Sequence, residues 1–241
     1  MSHNTSLATA TTNESTGSTH KRHWWRWTLT GIVVLLVVIV AAVGLYITFQ
    51  PVPAPLALPT VAASTPVGPL DGAWRLGAGS VAGFRLQQTV LGFSNDIVGR
   101  TKSVSGAVTV AGDQVSAAQF SIDLATIEVG GKTEPQLETS LDTSSHPNAT
   151  FTLSQPIALT SAFTSGGVLT TTATGNLVMN GVSRAVSLTI SGRRYGSTML
   201  FTGLIPVEFS RWSIKSPAGF GFFGSLANHG DAEFLLDLHR S

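Results

Sequence analysis

The stretch Thr172–Gly192, TATGNLVMNGVSRAVSLTISG, decides the fold. Two alternating runs flank Asn180-Gly181, a pair that accepts positive φ at both central positions and so suits a two-residue type I′ turn between antiparallel strands. Leu177 and Met179 share one side on the way in, and Val186, Leu188 and Ile190 share a side on the way out. Thr174, Asn176, Ser187 and Thr189 take the alternate positions. A period of two with one apolar and one polar face predicts a half-buried hairpin that needs a partner surface.

The chain around it offers more of the same. Strand patterns are expected at Ala73–Leu76, Val81–Gln88, Ile97–Ser103, Ala107–Val110, Thr150–Leu153, Val168–Met179, Ser183–Ser191, Thr198–Phe209 and Asp231–His239. Gln114–Glu128 is the longest expected strand, ended by Gly130-Gly131, and Leu91–Asp96 reads as a turn-rich connection. Thr133–Leu141 is the one expected helix here, with Thr133 as N-cap and Pro135 in the first turn. Recurrent strands with short turns favour antiparallel closure over a parallel βαβ fold. The expectation is all-β: an antiparallel barrel of about eight strands, residues 71–241, large enough at about 170 residues for a real core.

The first seventy residues are different. Met1–Thr19 is Ser/Thr-rich and is expected to be a disordered tail, part of a cytoplasmic segment 1–28. Its Asn4-Thr5-Ser6 and Asn13-Glu14-Ser15 match glycosylation sequons, as chance matches do in such tails. Leu29–Phe49 carries no charge, and its length of about 21 residues covers roughly 31 Å, the thickness of a hydrocarbon core. Trp24, Trp25 and Trp27 at one end and Tyr46 and Phe49 near the other fit an aromatic belt. His20-Lys21-Arg22-His23 and Arg26 precede the span, so the N-terminus should be cytoplasmic and all that follows extracytoplasmic. A cleaved signal peptide ending near Val40-Ala41-Ala42 is the competing reading, and the apolar run through Leu45-Tyr46-Ile47 is too long for it. Residues 50–70, with six prolines, read as a polyproline-like linker.

Composition removes several classes of function. The chain has no cysteine, which excludes disulfides, thiolate nucleophiles and Cys-ligated zinc. No basic stripe is present, which argues against nucleic acid as a partner. Ser144, Ser145 and His146 lie near Asp142, but no G-x-S-x-G elbow accompanies them and adjacency in a turn is not triad geometry. His146, His229 and His239 lack ligand spacing. Asp231, Glu233 and Asp237 alternate with Phe234 and Leu236 and read as the outward face of a strand. Phe220-Gly221-Phe222-Phe223-Gly224 reads as a loop folding over a barrel end, with a flexible lid or membrane-touching tip as the alternative. No catalytic residue, metal or cofactor is expected.

Four segments, in consistent order, resemble the YceI-like family. Gly99-Arg100 followed by Gly106 is similar to the family's glycine-arginine step. Leu141-x-Thr143-x-x-His146-Pro147-x-Ala149-Thr150-Phe151 resembles its threonine–tyrosine–proline segment, with His146 in the tyrosine position. Gly175-x-Leu177-x-Met179-Asn180-Gly181-Val182-x-x-x-Val186-x-Leu188 resembles its central hairpin, and Phe209-x-x-Trp212-x-Ile214 its late strand. The chain departs from the pattern at Gln88, where many members have histidine, at Gln136-Leu137-Glu138-Thr139, and at Trp212, where phenylalanine is frequent. The resemblance spans about residues 71–240.

It implies an exported, lipocalin-like barrel that binds an apolar lipid, a polyisoprenoid or an isoprenoid quinone. The expected wall is Phe84, Leu86, Phe120, Ile122, Phe151, Leu153, Leu177, Met179, Leu188, Ile190, Phe201 and Phe209. The expected partners are that lipid, the membrane and a second copy in a homodimer. A barrel filled by its own side chains, acting as a structural or signalling ectodomain, is the alternative.

Overall fold

The structure, a computed structural model, describes residues 20–49, 51–60, 65–215 and 224–241. The expectations for Met1–Thr19 and for the Phe220–Gly224 loop therefore lie outside the described residues, except for the strand position of Gly224. The chain divides into two units, one ending at Leu45 and one running Tyr46–Ser241.

The first unit is built on α1, His20–Thr48. The helix starts nine residues before the apolar run, because nothing in the basic and tryptophan-rich flank breaks a helix. Its window Trp27–Tyr46, mean hydropathy 2.8, is long and apolar enough to cross a membrane, at about 30 Å. From Trp27 to Ala42 its side chains are exposed.

The second unit is a closed antiparallel barrel. Its strands are β1 (Gly72–Leu76), β2 (Val81–Val90), β3 (Phe93–Thr101), β4 (Val104–Val110), β5 (Gln114–Asp123), β6 (Glu128–Val129), β7 (Lys132–Thr133), β8 (Asn148–Leu153), β9 (Ile157–Ala158), β10 (Val168–Met179), β11 (Val182–Tyr195), β12 (Thr198–Glu208), β13 (Gly224–Leu226) and β14 (His229–Arg240). Eight of them close the ring in the order β1-β4-β5-β8-β10-β11-β12-β14, with β14 pairing back to β1. β14 also pairs with β2 through Asp231↔Arg85 to Leu235↔Val81, so the β2–β3 hairpin is a second ribbon beside the short β1. "Upper" below means the end with the Asn180-Gly181 turn, and "lower" the end with the turn between Tyr195 and Thr198.

The deciding hairpin forms as expected, from Val168↔Arg193 to Met179↔Val182. Asn180 and Gly181 have φ of 48° and 70°, and the Asn180 Nδ2 donates to the carbonyls of Trp212 and Ser213 at 3.2 and 3.0 Å. Several boundaries differ from the sequence expectation. Gln114–Glu128 is not one strand: the Asp123 carboxylate accepts from Ala125 N at 3.0 Å and starts a 3-10 turn at Leu124–Thr126. The longest strand among the described residues is instead β11, with 14 residues. Leu91–Asp96 is not a loop, since only Leu91 and Gly92 turn and Phe93 is already paired with Val90. The helix after it, α2, runs Pro135–Leu141 with Glu134 rather than Thr133 at its N-cap. A further short helix, α3 at Ser161–Thr164, is capped by the Thr160 side chain.

Trp74, Phe163, Met199 and Leu238 are fully buried and form the lower floor. Phe163 stacks on Phe201 at 5.6 Å between centroids. The Trp74 indole N–H donates to Leu70 O at 2.9 Å, which satisfies the one polar atom of a buried ring.

The proline-rich segment is hydrogen-bonded to the barrel wall. Arg85 donates to Pro53 O at 2.6 Å, Arg100 donates to Ala54 O, and Leu56 N donates to Glu233 Oε2 at 3.3 Å. Thr202 Oγ1 lies 2.8 Å from Leu56 O, and Val67 N donates to Gly196 O at 2.7 Å. By register Glu233 faces outward, in line with the alternation, yet it is only 1% exposed because this strap covers it. Its carboxylate accepts from Arg100 Nη2 at 2.7 Å and Nε at 2.9 Å. These bonds offset the hydration that the carboxylate loses on burial.

Candidate functional site

Antiparallel pairing places directly opposite residues on the same face, so the wall can be read from register. Phe120↔Phe151 and Phe151↔Leu177 form one arc. Ala173↔Leu188, Ile190↔Gly203 and Phe201↔Leu236 continue it, and Ala232↔Phe84 brings β2 into the same surface. All of these face inward.

The enclosed space is a cavity of about 200 Å³ open to the centres of water-sized spheres; by that measure one water needs only ~10–15 Å³. Its lining reaches Leu86, Phe209, Ile214 and Gly230 at the upper end and Val115, Ile157 and Leu238 near the floor. All twelve residues expected at the wall line it: Phe84, Leu86, Phe120, Ile122, Phe151, Leu153, Leu177, Met179, Leu188, Ile190, Phe201 and Phe209. Phe84, Phe120, Ile122, Phe151, Leu153 and Phe209 are only half-buried although packed against the core. The lining is nearly all carbon; its polar members among the described residues are Arg85, Ser140, Asp231 and Glu233. Register turns the side chains of Arg85, Asp231 and Glu233 to the outer face.

Sequence reasoning missed part of the wall. Leu137 and Leu141 of α2 line the upper end; their i, i+4 spacing was the available signal. Phe234, Leu236 and Leu238 line it from β14, and their alternation with acidic residues carried that information. Val207 and Ile214 complete the rim.

Glycine makes room for the rings. Phe84 is opposite Gly99, Phe120 opposite Gly106, Phe201 opposite Gly192 and Phe234 opposite Gly203. A Cβ on Gly192 would lie 2.4 Å from Phe201 Cδ1, and one on Gly99 would lie 2.4 Å from Phe84 Cε1. The rings therefore lie across neighbouring strands instead of standing in the lumen.

The polar residues weighed for chemistry sit elsewhere. The Ser144 and Ser145 hydroxyls both donate to Asp142 Oδ1, at 3.2 and 3.1 Å, closing the turn after α2. The His146 ring packs beside Gly181, and exposed His229 is bonded to Asn228 at 3.0 Å. His239 Nε2 lies 3.2 Å from Asp237 Oδ1. No group of three His, Cys, Asp or Glu that could hold a metal ion is present among the described residues. Below the cavity Arg194 faces inward and donates to the carbonyls of Val67 and Gly68. Burial, and then the nearby charge of Arg240, lower its pKa from the usual arginine value.

A closed eight-stranded barrel with a hollow, carbon-lined axis belongs to the class of barrels that can enclose one small apolar ligand. The family model of the YceI-like domain matches residues 74–233, well over half the chain, and the chain belongs to that family. Among solved structures, a polyisoprenoid binding domain from Saccharophagus degradans is similar at TM-score 0.57 and 16% identity, over 70% of this chain and 98% of that one. BcnA from Burkholderia cenocepacia is 20% identical over 65% of this chain and 95% of its own, at TM-score 0.46. A Campylobacter jejuni YCEI protein is 12% identical over 59% and 84%, at TM-score 0.43. No curated protein matches this chain.

Proposed function

We propose that this protein is a membrane-anchored, extracytoplasmic barrel that binds a long apolar lipid, a polyisoprenoid or an isoprenoid quinone, and stores, carries or senses it. The observation that carries the reading is the continuous carbon-lined cavity in a YceI-like barrel. The likeness to a polyisoprenoid binding domain supports it. α1 is the anchor, and the basic residues before it set the orientation. The twelve wall residues hold the chain of the lipid by dispersion and exclusion of water. This is binding and not catalysis.

Magnitude favours a long chain. Each methylene buried contributes ~0.8 kcal/mol. Micromolar retention needs about 8 kcal/mol, and association costs at least ~4 kcal/mol more. Some 15 carbons, about three isoprene units, are then the minimum. Contacts of this kind hardly separate one prenyl chain from another, so chain identity should be loosely read.

Mass spectrometry of lipids retained by the purified protein tests the reading. Wild type should carry a prenyl lipid. Met179→Trp should carry much less while its circular dichroism stays that of a folded barrel, since methionine sites tolerate repacking. If neither form carries or takes up lipid, the binding function fails.

A further inference from the structure

We infer that the tip of the β2–β3 hairpin, Val90-Leu91-Gly92-Phe93, is a docking surface for the bilayer that holds α1, with the upper end of the barrel turned to that bilayer. The inference rests on the anchored reading above and adds the surface through which an apolar cargo would pass.

The hairpin outruns the barrel. β14 pairs with β2 only as far as Arg85, while β2 continues to Val90 and pairs there with β3 and with β13. These last residues run on past the β14 pairing for about 15 Å at ~3.3 Å each, flanked there by β3 and β13. They do so at the upper end, because β14 begins at His229 opposite Glu208. Between Arg85 and Asp96 the sequence has no charge.

The turn itself is chemically odd. Leu91 has φ of 52° and Gly92 of 85°, the backbone of a two-residue turn that asparagine or glycine adopts readily and leucine does not. The same chain builds the same turn at 180–181 with Asn-Gly, at φ of 48° and 70°. Leucine at position 91 is thus poorly suited to its backbone, and it is also 36% exposed. Solvent gives no reason for that choice; a hydrocarbon interface does.

The strap gives the direction. Arg85 holds Pro53 and Thr202 lies by Leu56; by register Arg85 is opposite Asp231 and Thr202 opposite Leu235. From Pro53 to Leu56 the chain therefore runs away from the upper end, and it reaches the lower turn at Val67 and Gly196. Pro53, which lies five residues after Thr48 in sequence, is thus held in the upper half of the barrel.

The absence of cysteine makes the test direct. Full-length Leu91→Cys and, at the lower end, Asp113→Cys are labelled with an environment-sensitive fluorophore and reconstituted in phosphatidylcholine vesicles with or without bromine on the acyl chains. The label at 91 should lose most of its emission to brominated lipid and the label at 113 should keep it. Vesicle flotation separates the two readings. Protein that does not float overturns the anchor and this inference together. Protein that floats with the 91 label unquenched, or blue-shifted by a second copy and not by lipid, overturns this inference alone. Leu91→Asn is the second variant: its melting midpoint should be equal to or above wild type, and a lower one would mean that Leu91 packs into the fold. Quenching at 91 in a protein that retains no lipid would leave the docking surface standing and the cargo reading refuted.

Discussion

Gly181 is the residue on which the central turn depends. Its φ is +70°, and a Cβ there would come within 2.8 Å of the His146 ring. Gly181→Val places a branched side chain in a sparsely populated region, a cost of about 1–3 kcal/mol. Each kcal/mol lowers the midpoint of a domain this size by ~2–4 °C. Thermal unfolding followed by circular dichroism should show that drop, and an unchanged midpoint would mean the turn does not need its positive φ. The turn was legible in sequence because Asn-Gly between alternating runs has one physical reading. The positive φ of the leucine at position 91 was not, because nothing local marks a leucine for it, and only the Val90↔Phe93 pairing narrows the expected connection to a two-residue turn.

Among the elements, the strap depends on one buried charge. Glu233 accepts from Arg100 and from Leu56 N, with Arg85 Nη2 3.9 Å away. Glu233→Gln leaves Arg100 beside a neutral amide. Breaking a buried pair costs up to ~3–5 kcal/mol, and part of that cost falls on the strap's hold. Limited proteolysis of the purified protein should cut residues 51–60 faster in Glu233→Gln than in wild type; equal rates would mean the strap is held by its other contacts. No periodicity encodes this element. Its partners are backbone carbonyls of one segment and arginines 32 and 46 residues away, so proline content alone suggested a free linker. The twelve wall residues were legible for the opposite reason. Period two fixes which side chains share a face, and register carries that face around the ring. The β3 segment lacked the signal, since Ser94, Asn95 and Asp96 hold their ladder with backbone atoms.

For the whole molecule, the testable quantity is sidedness. Lys21, Arg22 and Arg26 precede the apolar window, and positive charge marks the cytoplasmic flank. Protease added to intact cells should release the barrel as a soluble fragment. A barrel protected until lysis would reverse the orientation. The barrel class was legible from recurrent strands, but its two-ribbon closure was not: β14 serves both β1 and β2, and sequence spacing does not say that one strand has two neighbours on the same edge.

The glycines opposite Phe84, Phe120, Phe201 and Phe234 give the cavity an unexpected control. Lumen in this barrel is set by methyl groups that are missing, not by the apolar side chains that line it. Adding one carbon at Gly99, Gly192 or Gly203 would press on a ring and displace it, so a hollow barrel and a filled one lie a few single-carbon steps apart on the same backbone. Capacity could drift, or be tuned, over evolutionary time without any change of strand, register or fold.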